Sequence, residues 1–483
     1  MRRSIRKNMF ILLIVSLALL LFSTVLFFSI EYISNYFVRF SLSDLEIPNS
    51  SSKVLIFAPH CDDEVLGAGD LIKKTLANKG QVKVVLITNG DGFKTALEFD
   101  YLNLNPSSAD YIKFGYNRQI ESIQALKSLG LSAKDITFLG YPDGGISSLW
   151  NLHWNNNNPF RSAFTKTFRS PYYNSLTRNA SYTGESLSND INNIITDFQP
   201  THIVYPHPND HHPDHWATNA FVKTVLAQLN YKPQKEWLYL VHRGDWPTPL
   251  RRDTQMYMTP PAKLIGMGTD WFTSDMSDVD IAKKTEAIHV YKTQLRTLGP
   301  LMTAFERKSE LFGVYQDFNI LMKNNEDTAI IPNDINKVIS DPIKDTLGLE
   351  ISKEADLVGV YAEISKNENL HIFIQTNAAI DKRTRYFLNL VFIDNGNLKQ
   401  LNLHFLGNKI SGNQVSMGSI SDYSGITTTS KGKYLHVVIP SKTIGTYDHM
   451  FMNAQSAIED HILDRIAWHM GIKRVVFWEQ KHN

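Results

Sequence analysis

Two short stretches of the sequence combine histidines with acidic residues in patterns that could bind a metal ion. The first, "PHCDDE" at residues 59–64, contains His60, Asp62 and Asp63 and follows a short apolar run. The second, "HPNDHHPDH" at residues 207–215, supplies further imidazoles and carboxylates. Burial of such a group without a partner is energetically costly, so both stretches must face water, a metal ion or a substrate.

The spacing of these residues suits a catalytic zinc site. His60 and Asp63 are three residues apart, which lets both side chains reach one ion from a turn between a strand and a helix. One acid and two histidines with an open fourth position form a catalytic rather than a structural zinc site. The alternative is that the acids at 62–64 only cap a helix and that His212 and His215 are polar surface residues. The occurrence of two such stretches after different predicted strands favours the metal site.

Segments of strand length and helix length alternate around both stretches. The strand-like runs are "VLIFAP", "VKVVLITNG", "ITFLGYPDGG", "THIVYPHP" and "EWLYLVHRG". This alternation predicts an α/β fold with a Rossmann-like, mostly parallel sheet covered by helices on both faces. Ligands bind beyond the carboxyl ends of the strands in such sheets. The two stretches and Asp143 follow three of these strands, so we expect three loops to meet at one rim.

"PHCDDE" together with "DHHPDH" resembles the paired signatures of the zinc-dependent de-N-acetylases of the PIG-L, or LmbE-like, family. The resemblance covers about residues 53–312 and includes "NRQIESIQALKSLG", "FLGYPDGG" and "KTEAIHVYKTQ". Enzymes of this family remove acetyl from N-acetylglucosaminyl groups of glycolipids and small glycosides. The resemblance therefore implies a zinc-dependent hydrolase that acts on an N-acetylglucosamine-type sugar of a glycolipid or a cell-envelope glycan.

Carried over position by position, the resemblance implies a role for each matching residue. It implies zinc ligands at His60, Asp63 and His215, a general base at Asp62, an oxyanion-stabilising histidine at His212, and sugar-binding residues at Arg118 and Asp143. A carboxylate that lies beside the metal without binding it can take a proton from water and pass it to nitrogen. An imidazole opposite the metal can stabilise a tetrahedral oxyanion. Asp210 and Asp214 could orient the imidazole ligands.

Cys61 departs from the family pattern, which more usually has proline between the first histidine and the acids. It is the only cysteine in the chain, so an internal disulfide and a zinc site of paired cysteines are excluded. We expect its side chain to be a small buried filler that points away from the metal. A bound thiolate would instead compete with the water site.

Other residues near the predicted strand ends carry weaker signals. Arg118 could instead form a surface pair with Glu121 across one helical turn. Asp143 could be an ordinary residue of an Asp-Gly turn. Trp246 could stack on a sugar or simply pack in the core. The stretch "VHRGDWP" at 241–247 ends another predicted strand and adds further candidate rim residues, namely His242, Arg243 and Asp245.

The N-terminus contains an uncharged apolar run that could cross a membrane. Residues 9–30 would extend roughly 33 Å as a helix, which is enough to cross a bilayer's hydrocarbon core. Four basic residues precede the run and only Arg39 follows closely, so residues 1–8 are predicted to be cytoplasmic and the rest of the chain extracytoplasmic. A cleaved signal peptide is the alternative, but the run is longer than a usual signal core and no A-x-A site closes it. We therefore expect a single-pass membrane anchor.

The rest of the sequence predicts a spacer, two domains and a linker. We expect a spacer at residues 31–52 and a PIG-L-like deacetylase domain at residues 53–325. Polar composition with two prolines predicts a linker at residues 326–347. Beyond it, short strand-like runs separated by turn residues predict a smaller β-sandwich domain at residues 348–483. The 49 basic and 48 acidic residues nearly cancel, so no nucleic-acid partner is expected.

Two other functions remain open from the sequence. A zinc amidohydrolase on the same fold could act on another small amide. Alternatively, the first domain could be inactive and the protein could bind envelope glycan through its β domain. The sequence retains His60, Asp63 and His215 together with Asp62. This complete set argues against loss of activity.

Overall fold

The computed structural model describes residues 2–322, 337–345, 352–414, 420 and 423–474. These residues form a long N-terminal helix, an eight-stranded sheet with flanking helices, and two further sheets in the C-terminal part.

A mostly parallel sheet of eight strands forms the first part of the fold. Its strands are β1 (Ser43–Asp44), β2 (Lys53–Ala58), β3 (Gln81–Thr88), β4 (Ile136–Tyr141), β5 (His202–Pro206), β6 (Lys235–Tyr239), β7 (Thr269–Asp275) and β8 (Ser309–Tyr315). Their order is β1-β7-β8-β6-β5-β2-β3-β4. β8 runs antiparallel to β6 and β7, and the remaining pairs are parallel. The predicted α/β class is confirmed.

Helices cover both faces of this sheet. After the N-terminal helix α1 (Arg2–Ser41), they are α2 (Asp63–Ala77), α3 (Lys94–Tyr101), α4 (Ser108–Ser128), α5 (Ile146–Asn151), α6 (Gly184–Phe198), α7 (Pro213–Gln228), α8 (Asp278–Ile288) and α9 (Lys292–Thr303). Because side chains alternate along a strand, the neighbours Val54 and Leu55 on β2 belong to different hydrophobic clusters. Leu71 of α2 joins the cluster of Val54, and Phe221 of α7 joins that of Leu55.

The N-terminal helix is longer than the predicted membrane span of residues 9–30. α1 continues to Ser41, and Met9–Ser41 is apolar enough to cross a membrane by length and composition, with a mean hydropathy of 2.9 in its most apolar window. None of that window is buried against the rest of the chain. A helix near the N-terminus with these properties also fits a signal sequence.

The expected spacer at residues 31–52 is folded against the first domain. Asn35 donates a hydrogen bond from its side chain to the Tyr257 carbonyl at 2.9 Å. The guanidinium of Arg39 lies 2.6 Å from the Asp275 carboxylate. β1 then pairs with the edge strand β7. The helix therefore continues directly into the folded part of the chain.

The C-terminal part is a smaller β domain. Its strands are β9 (Phe318–Leu321), β10 (Lys337–Ser340), β11 (Leu357–Ile364), β12 (Leu370–Thr376), β13 (Arg385–Asp394), β14 (Asn397–Leu406), β15 (Lys409–Gln414), β16 (Thr427–Lys431), β17 (Tyr434–Ile439), β18 (His449–Ile458), β19 (His461–Arg465) and β20 (His469–Arg474), with a short helix α10 (Ser441–Ile444). One sheet has the order β10-β11-β12-β17-β16, the other the order β15-β14-β13-β18-β20-β9 with β19 on β18. Ile372 of the first and Leu388 of the second share one hydrophobic cluster.

The predicted linker at residues 326–347 is described only in part. Residues 326–336 and 346–347 lie outside the described residues, as does the beginning of the predicted β domain at 348–351. β10 falls inside the expected linker, and β9, from the expected deacetylase domain, pairs with β20 of the β domain.

One hydrophobic cluster joins the first domain to the β domain. The ring centroid of Trp150 on α5 lies 5.5 Å from that of Trp468 and 6.0 Å from that of Phe451. Phe221 of α7 and Val391 of β13 belong to the same cluster. Each of these five side chains is at most 1% exposed. The two parts therefore share buried apolar side chains.

Candidate metal centre and active site

The candidate catalytic residues lie where parallel strands of the first sheet end. The turn after β2 carries residues 60–63, and the loop after β5 carries residues 207–215. Asp143 follows β4. Because the carboxyl ends of parallel strands share one edge of the sheet, these loops are brought together there.

His60, Asp63 and His215 form a compact triangle of possible ligand atoms. The Asp63 Oδ2 atom lies 3.1 Å from His60 Nδ1 and 3.0 Å from His215 Nε2. The two histidine nitrogens are 3.3 Å apart. Ligand distances of 2.0 to 2.2 Å around tetrahedral zinc place ligand atoms roughly 3.3 to 3.6 Å from one another, only slightly farther apart than the atoms here. Among the described residues Asp63 Oδ1 is buried without a hydrogen-bond partner, so this set of donors fits a metal ion.

Carboxylates contact the outer nitrogens of both histidines. His215 Nδ1 lies 3.1 Å from Asp210 Oδ2. His60 Nε2 lies 3.3 Å from an oxygen of Asp143 and 3.3 Å from an oxygen of Asp214. Contacts of this kind orient a ligand imidazole and raise its basicity. Asp210 and Asp214 thus contact the outer nitrogens of the two predicted histidine ligands. Asp143 makes a contact of the same kind with His60, which the sequence did not predict.

Asp210 also organises the backbone around the site. Its carboxylate accepts hydrogen bonds from the backbone N–H groups of His212 at 3.0 Å, Val241 at 3.1 Å and His242 at 3.0 Å. Burial opposes its ionisation, but the charge and hydrogen bond of His215 outweigh burial and hold the pKa of Asp210 well below its usual range. An ionised Asp210 therefore ties the loop after β5 to the chain that follows β6.

Asp62 points to a different partner from its neighbour Asp63. Its backbone has φ 140°, a conformation that residues other than glycine rarely adopt. Its Oδ2 lies 3.4 Å from an Arg118 guanidinium nitrogen. Burial and the nearby Asp63 carboxylate raise the pKa of Asp62, whereas the Arg118 charge lowers it. The resulting pKa is about 8. A carboxyl group with a raised pKa, outside the ligand triangle, is suited to exchange a proton with a substrate.

Arg118 is buried and bonded to the backbone. Its guanidinium donates to the carbonyl oxygens of Gly90 and Cys61, both at 2.7 Å. A Cβ at position 90 would collide with the guanidinium, so the close approach requires glycine there. Glu121, considered from the sequence as its partner, instead accepts from the Thr293 N–H at 3.1 Å. Arg118 thus joins the loop after β3 to the turn that carries Asp62.

Asp143 takes part in the site and is more than a turn residue. Besides its contact with His60, its Oδ2 accepts the Gly92 N–H at 2.7 Å. Burial raises the pKa of Asp143, but the hydrogen bond from His60 and the charges of His60 and Arg118 bring it down to about 2. The carboxylate is therefore ionised at neutral pH.

His212 presents one ring nitrogen to the site. Its Nδ1 accepts the Asp214 N–H at 3.2 Å, as the N-cap of α7. Burial, and then the charges of His60 and His215, lower its pKa to about 4. The ring is thus neutral at neutral pH, and because Nδ1 acts as an acceptor, Nε2 carries the proton.

His242 belongs to the site but is absent from the predicted ligand set. Its Nε2 lies 3.8 Å from Asp63 Oδ1, and its ring centroid is 4.8 Å from that of His215. Burial, and then the His215 charge, lower its pKa to about 3, so the imidazole is neutral. The signal in the sequence was its position at the end of a strand-like run.

A cleft of about 710 Å³ opens beside these residues. Its lining includes His212 and His242 together with the apolar side chains of Trp246, Leu298 and Leu301. A volume of this size is typical of small-molecule sites. Both histidines therefore border a space that a substrate could enter.

The remaining candidate residues contact other parts of the protein and do not face the ligand triangle. Cys61 is fully buried in a hydrophobic cluster, as expected for a filler, and burial raises the pKa of its thiol well above the usual value. The Trp246 indole is 6% exposed and donates to the Thr259 carbonyl at 2.7 Å. Arg243 pairs with Asp245 at 2.8 Å. These contacts supply no group to the ligand triangle.

Comparison with protein families confirms the resemblance seen in the sequence. Residues 55–226 match the family described as PIG-L: GlcNAc-PI de-N-acetylase. No curated relative matches the chain.

Solved structures that match this chain cover about half of it. The conserved protein TT1542 from Thermus thermophilus is 16% identical, covers 54% of this chain and 93% of its own, and has a TM-score of 0.34. The N,N'-diacetylchitobiose deacetylase from Pyrococcus horikoshii is 18% identical over 55% of this chain and 84% of its own, with a TM-score of 0.34. A deacetylase of the teicoplanin biosynthesis pathway is 17% identical over 55% of this chain and 99% of its own, with a TM-score of 0.37.

Proposed function

We propose that this chain, which carries a PIG-L family domain at residues 55–226, is a zinc-dependent de-N-acetylase. Its substrate is an N-acetylglucosamine-type sugar of a glycolipid or a cell-envelope glycan. The observation that carries the proposal is the triangle of His60, Asp63 and His215, with Asp62 next to it but turned to another partner. One carboxylate and two imidazoles leave a coordination position open, as catalytic zinc sites do.

Asp62 is assigned the proton transfers of amide hydrolysis. A zinc ion held by the triangle would lower the pKa of a bound water molecule and would polarise the acetyl carbonyl. Asp62 takes the proton of the attacking water and later delivers it to the sugar nitrogen as the carbon–nitrogen bond breaks. Burial raises the pKa of this carboxyl group, whereas the positive charges of Arg118 and of a bound zinc ion lower it toward the carboxylate form that must accept the proton.

His212 is assigned to the developing negative charge on the acetyl oxygen. Its neutral ring has Nε2–H as the remaining donor, since Nδ1 accepts the Asp214 N–H. A fixed donor aimed at the oxyanion stabilises the transition state more than the ground state. Asp143 and Arg118 are the proposed contacts to the sugar, where Arg118 would exchange a backbone hydrogen bond for one to the substrate.

Acetate release from candidate substrates tests the proposed activity. We expect the purified full chain in detergent to contain zinc and to release acetate from a lipid-linked or a polymeric N-acetylglucosamine substrate. Activity should disappear after treatment with a chelator and return when zinc is added. Zinc without acetate release from any amino sugar would favour hydrolysis of another small amide, and a chain that binds no zinc would favour a glycan-binding protein.

We further propose that α1 is an uncleaved anchor, with residues 1–8 in the cytoplasm and the catalytic domain outside it. The basic residues before the apolar run support this orientation. A reporter that works only outside the cytoplasm should be active when fused after Asn483 and inactive when fused before Met1. The opposite pattern would overturn both the orientation and the envelope substrate.

A further inference from the structure

We infer that His242 supplies a fourth protein ligand to the metal centre, through Nε2, from the side of the cleft. This inference rests on the proposed function, because it takes His60, Asp63 and His215 as the other three ligands. The resemblance in the sequence implies only those three.

The donor atoms of all four residues gather around one point. Each residue offers one possible ligand atom, and these four atoms all lie within 4.8 Å of one another. The residues are His60, Asp63, His215 and His242. Asp63 Oδ2 faces His60 and His215, whereas Oδ1 faces His242 Nε2 at 3.8 Å. This distance is longer than a hydrogen bond, and Oδ1 has no hydrogen-bond partner among the described residues although it is buried. A buried carboxylate oxygen without a hydrogen-bond partner needs an explanation. A cation bound by both Asp63 Oδ1 and His242 Nε2 would provide one.

The chain that carries His242 is held firmly at this position. The His242 N–H donates to Asp210 Oδ2 at 3.0 Å, and its carbonyl accepts the His211 N–H at 2.8 Å. The same Asp210 carboxylate contacts His215 Nδ1 at 3.1 Å. One carboxylate therefore positions a ligand of the predicted set and the backbone of His242 together. The His242 side chain is 26% exposed, so it reaches the centre from the open cleft.

His212 is the other imidazole on the cleft, but its contacts differ. Its Nδ1 is used by the Asp214 N–H, and it belongs to a separate group of possible ligands with His60 and Asp214. His242 is grouped with all three residues of the predicted ligand set. The two histidines thus have different roles: His242 binds the metal, and His212 donates a hydrogen bond to the acetyl oxygen. Zinc held by all four residues would take the attacking water as a fifth ligand, a coordination number that catalytic zinc can reach.

Metal affinity and the spectrum of bound cobalt test this assignment without depending on activity. We expect His242→Ala, in the purified full chain, to weaken zinc affinity about tenfold or more in competition with a chelator, because loss of even an outer contact costs that much. The visible spectrum of the Co²⁺-loaded protein should change as well. His211→Ala is the matched control, since His211 is bonded to the same chain segment but belongs to none of the groups of possible ligands among the described residues. It should leave affinity and spectrum as they are.

His242→Cys gives a test that does not rely on loss of binding. A thiolate on Co²⁺ produces a charge-transfer band that imidazole and carboxylate ligands do not, and Cys61 is buried in the core of the unsubstituted chain. The band should appear in His242→Cys and be absent from the unsubstituted protein. Its absence from a folded, cobalt-loaded His242→Cys protein would overturn the inference, even if His242→Ala fails to fold.

The outcomes separate this inference from the proposed function. If the unsubstituted chain binds no metal, or if Asp63→Ala binds as well as the unsubstituted chain, the proposed centre itself fails. If Asp63→Ala loses the metal while His242→Ala keeps both affinity and spectrum, the three-residue centre stands and the fourth ligand is overturned.

Discussion

Asp62→Asn should lower the turnover of acetate release by about a hundredfold or more while zinc stays near one ion per chain. Asparagine keeps the size of the side chain but cannot accept a proton from water. The metal should remain because Asp62 faces Arg118 at 3.4 Å and does not belong to the groups of possible ligands found among the described residues. Metal analysis and acetate release on the same purified protein give the measurement.

Asp63→Ala is the matched variant at the adjacent acid. It removes the carboxylate that both His60 and His215 face within 3.1 Å, so zinc and activity should be lost together. Equal loss of zinc in Asp62→Asn and Asp63→Ala would show that the two acids are assigned wrongly. Full activity in Asp62→Asn would remove Asp62 from the mechanism.

Trp468→Ala should lower the free energy of unfolding by about 3 to 5 kcal/mol, as truncation of a buried tryptophan does. The side chain is 1% exposed and its ring lies 5.5 Å from Trp150 of the first domain and 5.0 Å from Phe451 of the β domain. Because the cavity would open between the two parts, the first domain should be weakened by a substitution in the second. Retention of zinc in rising urea concentration reports on the first domain and gives the measurement.

An exposed aromatic residue of the β domain provides the control for this effect. Tyr423 is 40% exposed, so Tyr423→Ala should change the free energy of unfolding by no more than about 0.5 kcal/mol. If Trp468→Ala unfolded the β domain but left zinc retention unchanged, the shared cluster would contribute nothing to the first domain. The two parts would then be independent in stability, as separate cores predict.

The mostly parallel sheet could be predicted because its signals are local. Strands buried on both faces are continuous apolar runs, as in "KVLIFA" and "QVKVVLIT". The helical segments between them have the length of a crossover connection, which is what joins neighbouring parallel strands. The order of residues along the chain is enough to recognise both features.

The end of α1 could not be predicted in this way. The segment after residue 30 mixes polar and aromatic residues and has no partner nearby in the sequence. Asn35 contacts Tyr257, and Arg39 contacts Asp275, each more than two hundred positions away along the chain. Contacts between such distant residues stabilise the helix beyond the apolar run, so the expected spacer is ordered.

The kinds of chemical group at the candidate site are readable from the amino-acid order, since "PHCDDE" and "DHHPDH" contain every residue of the ligand triangle and the adjacent Asp62. Their directions are not. Adjacent carboxylates face different partners because of the backbone conformation at Asp62 and the buried guanidinium of Arg118. His242 enters the site because β6 lies next to β5 in the sheet and Asp210 binds its backbone. Side-chain direction depends on packing and hydrogen bonds between segments far apart in sequence, and these form only when the sheet assembles.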